Sequence, residues 1–154
     1  IKDLERMVVR AYDLHFPNLR QDVLRFQEFA KLDEFHYKPG SEKSGSRLTN
    51  NVLGTEIDVV LETPDDLLIG EVKHEATFGA DGKLVLVHQL VRQFVTATIL
   101  LHLTRKDKKV VPFVVGDSTD YLKKTSQVRF MLCQGWLKEV NILEWGDVRQ
   151  AQVS

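Results

Sequence analysis

Apolar residues recur along this chain with two periods, and the switches between them lay out its elements. Ile1, Leu4, Met7, Val8, Ala11 and Leu14 fall three and four residues apart, the stripe of an amphipathic helix with one buried side. Pro17 and Asn18 break that helix. Leu19, Val23, Phe26, Ala30 and Phe35 then predict a second helix over 19–35. The stretch 38–46, KPGSEKSGS, has the composition of a loop, and Arg47–Leu53 reads as a first strand. From Glu56 the period changes to two: Ile57, Val59 and Leu61 alternate with Glu56, Asp58, Val60 and Glu62. Thr63-Pro64-Asp65-Asp66 supplies a tight turn, since Pro presets φ and Asp bonds its own backbone. A second strand follows through Lys73, on which Ile69, Glu71, Lys73 and Glu75 share a face.

The stretch 84–103 is apolar nearly all round, which means burial or a membrane. His88, Gln89, Arg92, Gln93 and His102 interrupt it, and charge at mid-span is expensive, so a buried helix across a sheet is the better account. Arg105–Lys109 places cations at its C-terminus, where they suit the helix dipole. Val110–Gly116 reads as a buried strand. Ser118-Thr119-Asp120 can cap a helix from Tyr121 to Cys133, which Gly135 ends, and Glu139–Trp145 reads as a last strand. The order is two helices, three strands, then helix, strand, helix, strand. It predicts an α/β (α+β) fold with a mixed central β-sheet flanked by helices: an antiparallel meander, a crossover helix, and a later helix on the opposite face.

At 154 residues the expectation is one domain, 1–154, and a hydrophobic content of 43% suffices for a core. The net charge of −1 argues against indiscriminate coating of nucleic acid. Basic residues nevertheless concentrate late: Arg105, Lys106, Lys108, Lys109, Lys123, Lys124 and Arg129 outnumber Asp107, Asp117 and Asp120. They read equally as a phosphate-steering surface or as solubility charge. The sole cysteine, Cys133, lies among apolar residues and reads as a small core residue in a reducing compartment. With no signal peptide recognised, the expected location is cytoplasmic, with no membrane partner. No zinc spacing and no Gly-rich phosphate loop occur.

The chemistry centres on EIDVVLETPDDLLIGEVKHE, residues 56–75. An antiparallel hairpin can bring Asp58 beside Glu71 and Lys73. Two carboxylates held together repel and lose hydration, and a divalent cation between them relieves both costs. Hard oxygens suit Mg²⁺ or Mn²⁺, which keep several waters, and the Val72 carbonyl can add a further oxygen. Lys73 would hold the attacking water and offset transition-state charge. A solvated face of an antiparallel sheet is the plainer alternative. On the buried helix, His88, Gln89, Arg92, Gln93 and Thr96 form one polar stripe that needs partners. Arg92 could grip a phosphate or pair internally with Glu71 or Glu56. Lys43 and Arg47 suit either phosphate contact or a solvated loop. Phe26, Phe29, Phe35 and Tyr37 suit core packing, with base stacking as the alternative.

An acidic residue on one strand, then acidic-x-Lys on the next, resembles the PD-(D/E)xK, or restriction-endonuclease-like, nuclease superfamily. Here the pattern is Asp58 followed by Glu71-Val72-Lys73, with Ile57 where the family often has Pro. The resemblance covers the hairpin and the helix after it. It implies a restriction-endonuclease-like core and metal-dependent phosphodiester hydrolysis, with DNA favoured and RNA left open. It also implies Gln89 at the active site and, in some members, a carboxylate from the first helix, for which Glu5 is the candidate; an exposed Glu5 paired with a neighbouring arginine is the simpler account. Many such nucleases act as homodimers. The competing expectation is a non-catalytic nucleic-acid-binding or protein-interaction module on the same fold.

Overall fold

The computed structural model describes residues 2–26, 29, 42–73, 78–81 and 84–148. In chain order its elements are α1 (Lys2–His15), α2 (Leu19–Arg25), α3 (Glu42–Gly54), β1 (Val59–Glu62), β2 (Asp66–Val72), α4 (Gln89–Leu103), β3 (Lys109–Gly116), α5 (Thr119–Lys124), α6 (Ser126–Cys133), a 3₁₀ turn (Glu139–Asn141) and β4 (Ile142–Glu144). The four strands form one mixed sheet in the order β1-β2-β3-β4, with β1 antiparallel to β2 and the other neighbours parallel. This is an α+β chain with helices packed on a mixed sheet, as the periodicity predicts.

The hairpin forms where the turn residues place it. Thr63 donates its backbone N–H to Asp66 and accepts from the Asp66 N–H at its hydroxyl, both at 2.9 Å. From β2 the chain crosses to β3 through α4, which packs on β2 and β3 and in turn carries α1, α3 and α6. Val91, Val95 and Ile99 of α4, Val8 and Ala11 of α1, Leu48 of α3 and Val128 of α6 are all at most 1% exposed. That cluster is the core, and it lies on the α4 side of the sheet. Ser118 caps α5 as expected, its hydroxyl accepting the Tyr121 N–H at 3.2 Å. Gly135 ends α6 in the left-handed region at φ 74°, with the paired backbone bonds of a Schellman stop from Gly135 to Leu132 and from Trp136 to Met131.

Several expectations are corrected. Arg47–Leu53 is helix, not strand, and residues 42–46 of the expected loop form its opening turns; Lys38–Ser41 lie outside the described residues. Leu48 and Val52 sit four apart and bury together against α1 and α4, so the true period is helical. The meander is therefore a two-strand hairpin. The second helix stops at Arg25, where Phe26 turns extended; Phe35 and Tyr37 lie outside the described residues, while Phe29 is buried in the core. The central helix starts at Gln89 rather than Leu84, after His88 in an extended conformation. The helix expected over 121–133 is two helices, broken at extended Thr125. It packs on α4, so it shares α4's side of the sheet. The last strand pairs over Ile142–Glu144 alone, and Cys133 is exposed rather than core. Among the described residues, no helix is long and apolar enough to cross a membrane.

Candidate active site

Antiparallel pairing of Val59 with Gly70 sets the register of the hairpin. Carried one residue further, it places Asp58, just before β1, opposite Glu71, and cross-strand partners face the same side. The side chain of Asp58 completes the ladder: its Oδ2 accepts the Val72 backbone N–H at 3.1 Å. The next N–H, that of Lys73, points the other way and bonds Val115 of β3 at 2.8 Å. Donor and acceptor of one strand residue point to the same side, so the Val72 carbonyl faces the edge where Asp58 lies.

Glu71 faces α4 and is 3% exposed. Its carboxylate is held from several directions. Gln89 Nε2 donates to Oε1 at 2.7 Å, Gln93 Nε2 donates to Oε2 at 2.8 Å, and Lys73 Nζ lies 3.0 Å from Oε1. One turn of α4 separates the two glutamines, so these two members of the polar stripe find their partner in this carboxylate. Burying an anion is tolerable only with such donors. Lys73 lies just past the end of β2 with its side chain 18% exposed, and its ammonium sits 5.8 Å from the centre of the Phe78 ring.

A further layer fixes Gln89. Its Oε1 accepts the Gly79 N–H at 2.9 Å, and the Gly79 carbonyl accepts from Gln127 Nε2 at 2.8 Å. Gln127 Oε1 in turn accepts the Leu90 N–H at 3.0 Å, satisfying a donor in the first turn of α4. Sequence reasoning passed over Gln127 and Phe78. A glutamine beside Val128 and Met131 on a buried helix was the available signal for Gln127. Phe78 lies five residues beyond Lys73, and an apolar residue so soon after the strand was its available signal.

Not every expected residue joins this cluster. Arg92 makes no salt bridge to Glu71 or Glu56 among the described residues. Its Nη1 donates instead to the carbonyls of Leu86 and Val87, at 2.8 and 3.2 Å. Burial pushes its guanidinium below the usual arginine range, against the pull of Asp81 and Glu71. Glu5 lies at the α1–α3 contact, its Oε1 facing Gly45. Arg47 is exposed on α3; Lys43 falls in the same helix with its side chain outside the described set. His74 and Glu75 also lie outside the described residues.

The donors present are those a hard cation takes. Asp58 is exposed, and its Oδ1 makes no hydrogen bond among the described residues. The Val72 carbonyl faces the same edge, and Glu71 lies opposite Asp58 in the register of the hairpin. Among the described residues no group of three or more His, Cys, Asp and Glu is placed to hold a metal. Next to this cluster, Phe78, Tyr121, Lys124 and Gln127 line a cavity of about 290 Å³. No family model matches the chain, and neither a curated protein nor a solved structure matches it.

Proposed function

We propose that this protein is a nuclease of the PD-(D/E)xK type that hydrolyses phosphodiester bonds, in DNA first, with the help of Mg²⁺ or Mn²⁺. The observation that carries the reading is the placement of Asp58 opposite Glu71 with the Lys73 ammonium 3.0 Å from the Glu71 carboxylate. Asp58, Glu71 and the Val72 carbonyl would hold the metal, which supplies Lewis-acid stabilisation of the phosphoryl oxygens. The cluster sits at the carboxyl end of β2, where open sheets commonly present their sites.

The chain's own residues divide the remaining work. Lys73 is anchored on Glu71 and only partly exposed, so its ammonium can orient a water toward a phosphate and offset developing negative charge. Gln89 and Gln93 hold the Glu71 carboxylate in one rotamer. Tyr121, 51% exposed, and Lys124 offer a ring face and a cation in the adjoining cavity, a fit for a base and its phosphate. The fold that accompanies this reading is the restriction-endonuclease-like core, entered here through the β1–β2 hairpin and α4.

Cleavage of plasmid and oligonucleotide DNA with Mg²⁺ or Mn²⁺ tests it. The intact protein should cut, and Lys73→Ala and Asp58→Ala should each lose at least about 100-fold, the scale of a lost transition-state contact. Metal-dependent cleavage surviving both substitutions overturns the assignment. Tight metal-independent DNA binding with no cleavage favours the binding module instead.

A further inference from the structure

We propose that the far end of α4 carries a second ligand site, for a nucleotide. A cavity of about 580 Å³ opens there. Its lining on α4 runs from Phe94 to His102, roughly 7 to 20 Å along the helix axis from Gln89, and it shares no residue with the candidate active site. Its volume is that of a small-molecule site.

The lining divides by chemistry. Phe94 and Trp136, stacked at 4.3 Å between ring centres, supply an apolar wall. Arg105, Lys106, Lys108 and Lys109 surround the mouth, against Asp107 as the only acid in the lining. Lys106 and Lys108 are already engaged by Glu62, at 2.8 and 2.7 Å. Arg105 and Lys109 make no ion pair among the described residues. An aromatic wall with two uncompensated cations at its rim suits a planar base and a phosphate on one ligand.

The backbone at Arg105 points the same way. Its N–H bonds His102 and the Lys106 N–H bonds Leu101, the Schellman pattern, which puts Arg105 in the left-handed position at φ 55°. Glycine normally occupies that position because a Cβ is strained there. The same stop after α6 uses Gly135. Arg105 takes this strained position where it lines the cavity, and a ligand contact by its side chain would offset the strain.

Calorimetric titration in EDTA, which leaves the candidate metal site out of the readout, tests the proposal with adenosine 5′-monophosphate, inorganic phosphate and adenosine as probes. The nucleotide should bind at least about tenfold more tightly than either fragment. Arg105→Gly and Lys109→Gln should each weaken it about tenfold or more, the effect of losing one charge-assisted contact, while Arg105→Gly melts no lower than the native protein. Glu71→Gln should leave binding unchanged. A 5′-phosphorylated oligonucleotide binding better than the free nucleotide assigns the site to a strand end, and the reverse assigns it to the mononucleotide. No nucleotide binding, phosphate binding as tightly as the nucleotide, or full affinity in Arg105→Gly each overturns the proposal. None of these outcomes bears on phosphodiester cleavage at Asp58 and Glu71.

Discussion

Replacing Gln93 by leucine isolates what holds the buried carboxylate. Gln93 is 3% exposed, and its amide donates at 2.8 Å to Glu71 Oε2 and at 3.3 Å to the Glu56 carbonyl. Leucine approximates its volume, so cavity and overpacking effects are small. What is lost is the donor to Oε2, leaving one oxygen of a buried anion unpaired. A hydrogen bond to a charged group contributes about 1.5–3 kcal/mol. In a chain of this size each kcal/mol shifts the melting midpoint by roughly 2–4 °C, so Gln93→Leu should melt about 3–12 °C lower. Denaturant unfolding in a double-mutant cycle assigns the loss. In a Glu71→Leu background the same substitution should cost less than about 0.5 kcal/mol, or stabilise, because the anion is gone. Equal losses in both backgrounds, or a Gln93→Leu protein as stable as the native one, would refute the argument.

Further tests reach other parts of the molecule. Gly70→Ala should destabilise by about 1–3 kcal/mol, since its Cβ would come within 2.2 Å of the Phe113 ring across the β2–β3 pair; unchanged denaturant stability would show that Phe113 moves aside freely. Hydrogen bonds and charge from Lys106 and Lys108 hold the exposed Glu62 carboxyl down to about 2; replacing both lysines by methionine should return its NMR titration toward the ordinary glutamate range, with little change in stability because the pair is exposed. Burial, then the neighbouring His102, lowers the His15 pKa from its ordinary 6.5. The native state then binds fewer protons than the unfolded one, so stability should be full above about pH 6.5 and fall as pH drops below it. His15→Gln should flatten that slope in urea unfolding from pH 5 to 8, and an undiminished slope would point to another group.

The hairpin and its cluster were legible because period two, a Thr-Pro-Asp-Asp turn and an acidic-x-Lys spacing are all local. Lys73 pairs with Glu71, Gln89 donates to it, and Asp58 bonds the backbone of the neighbouring Val72. The error at Arg47–Leu53 arose where Leu48 and Val52 are too few to separate a helical from a strand period; only contact with α1 and α4 decides it. The alternative of an internal pair from Arg92 to Glu71 or Glu56 failed for a related reason. A side chain on the right stripe can still turn toward backbone carbonyls, here those of Leu86 and Val87, and spacing along the helix is blind to that choice. Gln127 reaches the site from a remote helix, so no window of sequence contains the relationship.

The account stands on Asp58 and Glu71 gathering a divalent ion between them. Calorimetric titration of Mn²⁺ into the native protein and into Asp58→Asn measures this directly. The account predicts saturable binding of a single ion by the native chain and its loss in the variant. No binding by the native chain, or undiminished binding by Asp58→Asn, would contradict it.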